Sequence, residues 1–323
     1  MRAEYHVNRT FIPQVDQGPL KQLARPADAR HDSTQGDSRN VCDLPVRKLL
    51  QLPEYQDLAV FRGQFRQGLL APRERGAKEV ISLKGFGHGH WTRSLLFDRG
   101  GAKLYVGVGS GSNVSPGEDP VRAAINRYNP DGSGHETYAS GTRNPIGLHW
   151  FPGTDTLWAA VQERDALGDD LVPDYFTHIQ QGGFYGWPYA YIGPNEDPRN
   201  KGQRPDLVAK TMVPDVPLMP AHQAVLDFEF YTAKQFPAEY RGGAFLALHG
   251  SWNRAQRVGY KIAFIPFHDG KPSGAERDFL TGWMIAPDSR DVWGRPVGLL
   301  ILPDGSMLIS DDGGKKIWRV RYK

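Results

Sequence analysis

The chain is 323 residues long, with 39 basic and 36 acidic residues for a net charge of +3, 37 glycines, 25 prolines, 11% aromatic residues and one cysteine, Cys42. That length holds one large repeat-built domain or two ordinary ones, and the glycine, proline and aromatic content favours many short strands joined by tight turns, with helix in the minority. Interspersed charge without a basic run excludes a nucleic-acid footprint, the absence of any apolar stretch near ~18 residues excludes a membrane-spanning helix, and a single cysteine excludes an internal disulfide.

Residues 1–45 are polar, and "ARPADARHDSTQGDSRN" has no periodic apolar pattern, so this segment is expected to be disordered or irregular, with the folded domain at 46–323. The opening "MRAEYHVNRTFIPQ" has no apolar h-region, so no signal peptide is expected.

From about residue 78 one unit recurs: an apolar run, a turn of Pro, Asp or Gly, and a second apolar run. It reads "SLLFDRGGAKLYVGVGS", "GLHWFPGTDTLWAAVQ", "FPAEYRGGAFLALHGSW" and "GLLILPDGSMLISDD", with Leu104, Leu157, Phe245 and Leu308 as anchors spaced 53, 88 and 63 residues apart. Each unit is expected to be a hairpin. "AAINRYNPDGSGHETYASG" and "YKIAFIPFHDGKPSGAERDFLTGW" add outer strands, with turns at Asn129-Pro130-Asp131-Gly132 and His268-Asp269-Gly270. Four strands per repeat, arranged radially, make an all-β fold of the β-propeller type; a β-sandwich is the competing architecture. In a propeller, loops distant in sequence meet at one mouth of the central channel.

The loops are where chemistry is expected. In "SGTRNP", Gly141 and Pro145 bracket Arg143 and Asn144. The arginine offers a planar fork suited to a carboxylate, a phosphate or a developing oxyanion, or to capping a nearby carbonyl. Further polar clusters are "GFGHGHWTR", "QERDALGDD", "GGFYGWPY", "LHGSWNR" and "WGRPVG".

Six such clusters in order on a propeller pattern resemble the quinoprotein glucose/sorbosone dehydrogenase family, in its sorbosone-dehydrogenase-like branch, over residues 85–323. The resemblance implies a six-bladed propeller that binds pyrroloquinoline quinone and calcium and oxidises an aldose or related sugar, in the periplasm or outside the cell. It implies His90 as general base, with His88 the weaker candidate, and Arg143 as the electrostatic catalyst at the quinone oxygen. Asn144 then bonds the quinone ring, and Trp252, Arg254 and Arg295 lie where the family holds the quinone's carboxylates. Backbone carbonyls of Arg164 and Asp165 fall at the calcium position, although well-described glucose-oxidising relatives have a Gly-Pro pair there. Asp169 and Asp170 either bind a second metal or cap the turn, and Tyr185 and Trp187 either pack as core or orient the channel.

Relatives with this pattern have about two more blades before the histidine motif, and "LPVRKLLQLPEYQDLAVFRG" is similar only to their opening strand. The expectation is therefore a propeller incomplete at its N-terminus, prone to self-association through an open blade edge. A calcium-dependent lactonase-type hydrolase and a non-catalytic propeller are the alternative readings. No Cys-x-x-Cys-His for haem attachment is present, so the electron acceptor is not legible.

Overall fold

Runs of β-branched and aromatic residues between turn clusters form strands, and the strands assemble in antiparallel sheets of four. The first sheet orders β2 (Arg93–Phe97), β3 (Leu104–Val108), β4 (Ala124–Tyr128) and β5 (Glu136–Ser140), after the short β1 (Gln14–Asp16), which belongs to the last sheet. The second holds β6 (Asn144–Trp150), β7 (Leu157–Gln162), β8 (Tyr175–His178) and, past a small hairpin of β9 (Ala190–Tyr191) and β10 (Asn195–Glu196), β11 (Val216–Pro217). The third holds β12 (Val225–Phe230), β13 (Ala244–Leu248), β14 (Lys261–Ile265) and, past the hairpin β15 (Phe267–His268) and β16 (Lys271–Pro272), β17 (Arg277–Leu280). The fourth holds β18 (Pro296–Ile301), β19 (Met307–Asp311) and β20 (Lys316–Arg321), with β1 paired to β20.

This computed structural model describes residues 14–16 (backbone), 79–91 and 93–322. Within the expected irregular segment 1–45 only the strand β1 is described, and Cys42, the boundary at 45 and the stretch at 44–63 lie outside the described residues. The chain divides into two compact units, Met1–Asp16 with Val80–Lys323 and Gln17–Glu79, and every sheet belongs to the first. Among the described residues helix is confined to α1 (Pro205–Val208) and a 3-10 turn at Ala238–Tyr240, and none of it is long and apolar enough to cross a membrane.

The sheets are separate in their hydrogen bonding and stack face to face. β2 packs on β6, β6 on β12 and β12 on β18, so the first strands of successive sheets adjoin, as in propeller blades. The second strands explain why. In β7, Leu157, Ala159 and Val161 face the first sheet, where they meet Tyr105, Ile125 and Ala139, while Trp158 and Ala160 face the third sheet and meet Phe228 and Leu246. A strand buried on both faces must be apolar throughout, and "LWAAV" and "AFLAL" are. Full burial of each such Leu or Phe side chain contributes roughly 1.5–3 kcal/mol.

Two details differ from expectation. The partner of β13 is Val225–Phe230, and not the "FPAEY" that directly precedes it. Pro237 cannot donate to a ladder, and Ala238–Tyr240 turn so that Phe236 and Tyr240 cap the core between the third and fourth sheets. The four anchors do share one strand of each sheet, but Phe245 and Leu308 are second in their strands where Leu104 and Leu157 are first. One residue of slip turns a side chain to the opposite face.

Candidate functional site

In an antiparallel hairpin the start of one strand and the end of its partner share an edge. His90, Arg143, Ala224 and Arg295 stand at or just before β2, β6, β12 and β18. Ser110, Glu163, His249 and Asp312 stand just after β3, β7, β13 and β19. These loops therefore lie on the same edge of every sheet.

His90 is half-buried, and its Nδ1 lies 3.0 Å from both the carbonyl oxygen and the hydroxyl of Ser110. A carbonyl only accepts, so Nδ1 carries the proton and Nε2 keeps its lone pair. Arg93, held to the carbonyls of His90 and Phe86 at 2.9 and 2.7 Å, fixes the loop that carries the ring. Burial, and next the nearby Arg143 charge, lower the pKa of His90 to about 4. That is well below the ordinary imidazole value expected from sequence.

Beside His90 the backbone is glycine for a steric reason. A Cβ on Gly109 would come within 2.4 Å of Asn144 Oδ1 and 2.5 Å of His90 Cβ. Asn144 donates from Nδ2 to Gln162 Oε1 at 3.0 Å, and its buried Oδ1 has no partner among the described residues.

Arg143 is buried, and this chain's own acceptors take up its fork. Nε donates to Asn113 O (3.1 Å), Nη1 to Glu163 O (2.6 Å) and, at 3.5 Å, Gln162 O, and Nη2 to Asn113 Oδ1 (2.9 Å) and Asp165 Oδ2 (3.1 Å). Asp165 is in turn the hub between sheets. Its Oδ1 accepts from Asn253 Nδ2 at 2.6 Å and stands 3.8 Å from His222 Nδ1, and its carbonyl accepts from Asn113 Nδ2 at 3.0 Å. His222 Nε2 lies 3.0 Å from Gly168 O, so that nitrogen bears the proton and Nδ1 faces Asn253 as an acceptor. The buried Oδ1 of Asn253, like that of Asn144, has no partner among the described residues.

The remaining expected residues are placed as follows. The Arg164 side chain turns into the interior, its Nε 3.3 Å from Asp197 Oδ2. Glu163 beside it is raised to about 8, and Asp174 to about 6, in both cases chiefly by burial. Arg254 reaches the carbonyls of Asp169 and Gln256 and the carboxylate of Asp170, while Asp169 also accepts from Ala255 N, so Asp169 and Asp170 pin the loop. Trp252 is 67% exposed. Arg295 donates to His249 O and Gly250 O at 3.1 and 2.7 Å and lies over the Tyr260 ring. Tyr185 and Trp187 are core, and Trp187 Nε1 holds Asn113 O at 2.8 Å.

Structure thus brings His90, Arg143, Asn144 and Asp165 together. It adds Asn113, His222 and Asn253, which the sequence did not single out. Asn253 stood inside the quoted "HGSWNR", and Asn113 follows the glycine-serine run after β3; His222, at a φ of 68°, had no sequence signal. Among the described residues no group of three or more His, Cys, Asp or Glu is placed to hold a metal ion. A hard cation here would draw on backbone carbonyls, Asp165 and amide oxygens.

The family model described as glucose/sorbosone dehydrogenase matches residues 55–251, and one described as TrAA12-like matches residues 194–323. An uncharacterized protein of Borreliella burgdorferi is 35% identical over 240 residues, 72% of this chain and 61% of its own, so this chain spans about three fifths of that relative. The calcium structure of the Trichoderma reesei carbohydrate-active enzyme of family AA12 is similar with a TM-score of 0.61 at 21% identity, over 73% of this chain and 69% of that one. The holo pyranose dehydrogenase quinone domain of Coprinopsis cinerea is similar at 0.58 and 21%, over 72% and 70%. The apo soluble aldose sugar dehydrogenase of Escherichia coli is similar at 0.51 and 21%, over 71% and 63%. Those likenesses bear on the fold, while the sequence match spans more than half of the chain: it belongs to the glucose/sorbosone dehydrogenase family.

Proposed function

We propose that the chain is the greater part of a six-bladed quinoprotein that oxidises an aldose or related sugar outside the cytoplasm, with pyrroloquinoline quinone and calcium at the mouth. The observation that carries this reading is the His90 ring, whose Nδ1 proton is committed to Ser110, leaving the lone pair on Nε2, and which feels the charge of the buried Arg143. The residues suit the group. Buried Asn144 Oδ1 and Asn253 Oδ1 lack partners among the described residues, and an unpaired buried oxygen is costly unless something fills the gap.

When bound, the quinone supplies the hydride acceptor and calcium polarises its carbonyl. Asn144, Asp165, Arg295 and the carbonyl of Arg164 are the residues that would hold them. His90 Nε2 would take the proton of the substrate hydroxyl, and at a pKa of about 4 it stays neutral and ready across the physiological range. Arg143 contributes its charge from within the frame it holds, stabilising negative charge that grows at the mouth. The test is reduction of an artificial dye by aldoses with quinone and calcium added. Dependence on both supports the reading, and activity that persists in excess chelator without quinone overturns it.

A further inference from the structure

We infer that the cleft next to Asn253 is a carboxylate subsite that turns the sugar site toward acidic sugars of the uronate type; this rests on the oxidoreductase reading above. The cleft has a volume of 370 Å³ and is lined by Trp252, Arg254, Ala255, Arg257, Asp288 and Arg290. That is within the range of small-molecule sites. Trp252 and Arg254 flank Asn253, whose amide is 2.6 Å from Asp165, the partner of Arg143, so the cleft adjoins the Asp165–Arg143 pair.

Two loops build it, and they are tied together where the Arg257 N–H donates to Pro287 O at 2.6 Å. Its three arginines are not equivalent. Arg254 is engaged with Asp169, Asp170 and Gln256. Arg257 commits Nη1 to Ser251 O and Tyr260 Oη, while its Nε and Nη2 have no hydrogen bond among the described residues. Arg290 is exposed, with no hydrogen bond or ion pair among the described residues. Two guanidinium groups with donors to spare, opposed by the single carboxylate of Asp288, suit an anion, and their planar forks match a carboxylate with two parallel bonds. The exposed Trp252 indole offers the flat apolar face on which a pyranose ring packs. Asp288 can accept from sugar hydroxyls and repels a dianion more than a monoanion, which favours a carboxylate over a phosphate.

Titration calorimetry on the full chain without added quinone or calcium tests this, using D-glucuronate, D-glucose and D-glucose 6-phosphate. Glucuronate is expected to bind at least about tenfold more tightly than glucose, and Arg290→Gln to remove about that factor for glucuronate alone, with Arg257→Gln as a second variant. Glucose binding as tightly as glucuronate, the sugar phosphate binding more tightly, or no effect of either variant would overturn the subsite. So would competitive displacement of glucuronate by pyrroloquinoline quinone, which would make the cleft the cofactor's own clamp. Dye reduction with quinone and calcium separates the two ideas. Uronate binding without oxidation of any sugar keeps the subsite and sinks the oxidoreductase reading, whereas preferential oxidation of neutral sugars does the reverse.

Discussion

Asn253 and Asp165 lie 88 residues apart in sequence and 2.6 Å apart in space, and that bond, together with those from Arg254 and Ala255 to Asp169, joins the loop after β13 to the loop after β7. The same amide faces His222, and the same carboxylate receives Arg143. Replacing Asn253 by Leu leaves the Asp165 carboxylate without one of its donors at a cost of roughly 1–3 kcal/mol. Quinone affinity, followed by absorbance titration in the presence of calcium, is expected to fall at least about tenfold. Wild-type affinity in that variant would show that the bridge between the sheets does not shape the site.

His90→Gln retains a donor toward Ser110 but has no titrating lone pair, and dye reduction is expected to drop by about a hundredfold or more. Because burial and the Arg143 charge bring the pKa of His90 to about 4, the acid limb of kcat/KM is expected near that value and not near the ordinary imidazole range. An acid limb between about 6 and 7 would assign the base elsewhere.

Gly109→Ala places a methyl group 2.4 Å from Asn144 Oδ1 and 2.5 Å from His90 Cβ, so one of them must move. Gly100→Ala, where nothing lies within 4 Å, is the control. Turnover is expected to fall about tenfold or more in the first and to be unchanged in the second, since misplacement of about 1 Å is already costly for catalysis. Equal activity of the two variants would show that the space at Gly109 does not position His90 or Asn144.

On the second sheet, away from the mouth, His178 Nδ1 is 2.6 Å from Asp215 Oδ2. The bond to Asp215 raises the His178 pKa above its ordinary value. Burial works against the Asp215 carboxylate, but hydrogen bonds from the His178 ring, the His178 N–H and Thr177 outweigh it and leave its pKa lowered. The histidine's share of stability is full below about pH 6.5 and is lost as pH rises through its folded value, while the aspartate's share is present above about pH 3.9 and is lost as pH falls through its folded value. Thermal melts should therefore show His178→Gln losing more Tm at about pH 5.5 than at about pH 8.5. The same loss at both would mean that the pair acts by shape and not by charge.

The strands at 93–97, 104–108, 124–128, 144–150, 157–162 and 307–311 could be read from the chain alone, because their alternation of apolar runs with Pro, Asp and Gly turns is a local property. So could the loops that carry His90 and Arg143, since glycine and proline mark them, whereas Asn144, expected in the loop, opens β6 and pairs with Gln162. The choice of Val225–Phe230 as partner of β13 was not legible, because "FPAEY" is equally apolar and only the stacked sheets decide that Phe236 and Tyr240 serve as core. The roles within the site were decided in the same way. Arg164 sends its guanidinium to Asp197, and Arg143 spends its fork on Asn113, Glu163 and Asp165, because these partners meet only when neighbouring sheets bring distant loop ends onto a common edge. Sequence sets which residues stand in loops; burial and the acceptors that neighbouring sheets bring within reach set where their side chains point.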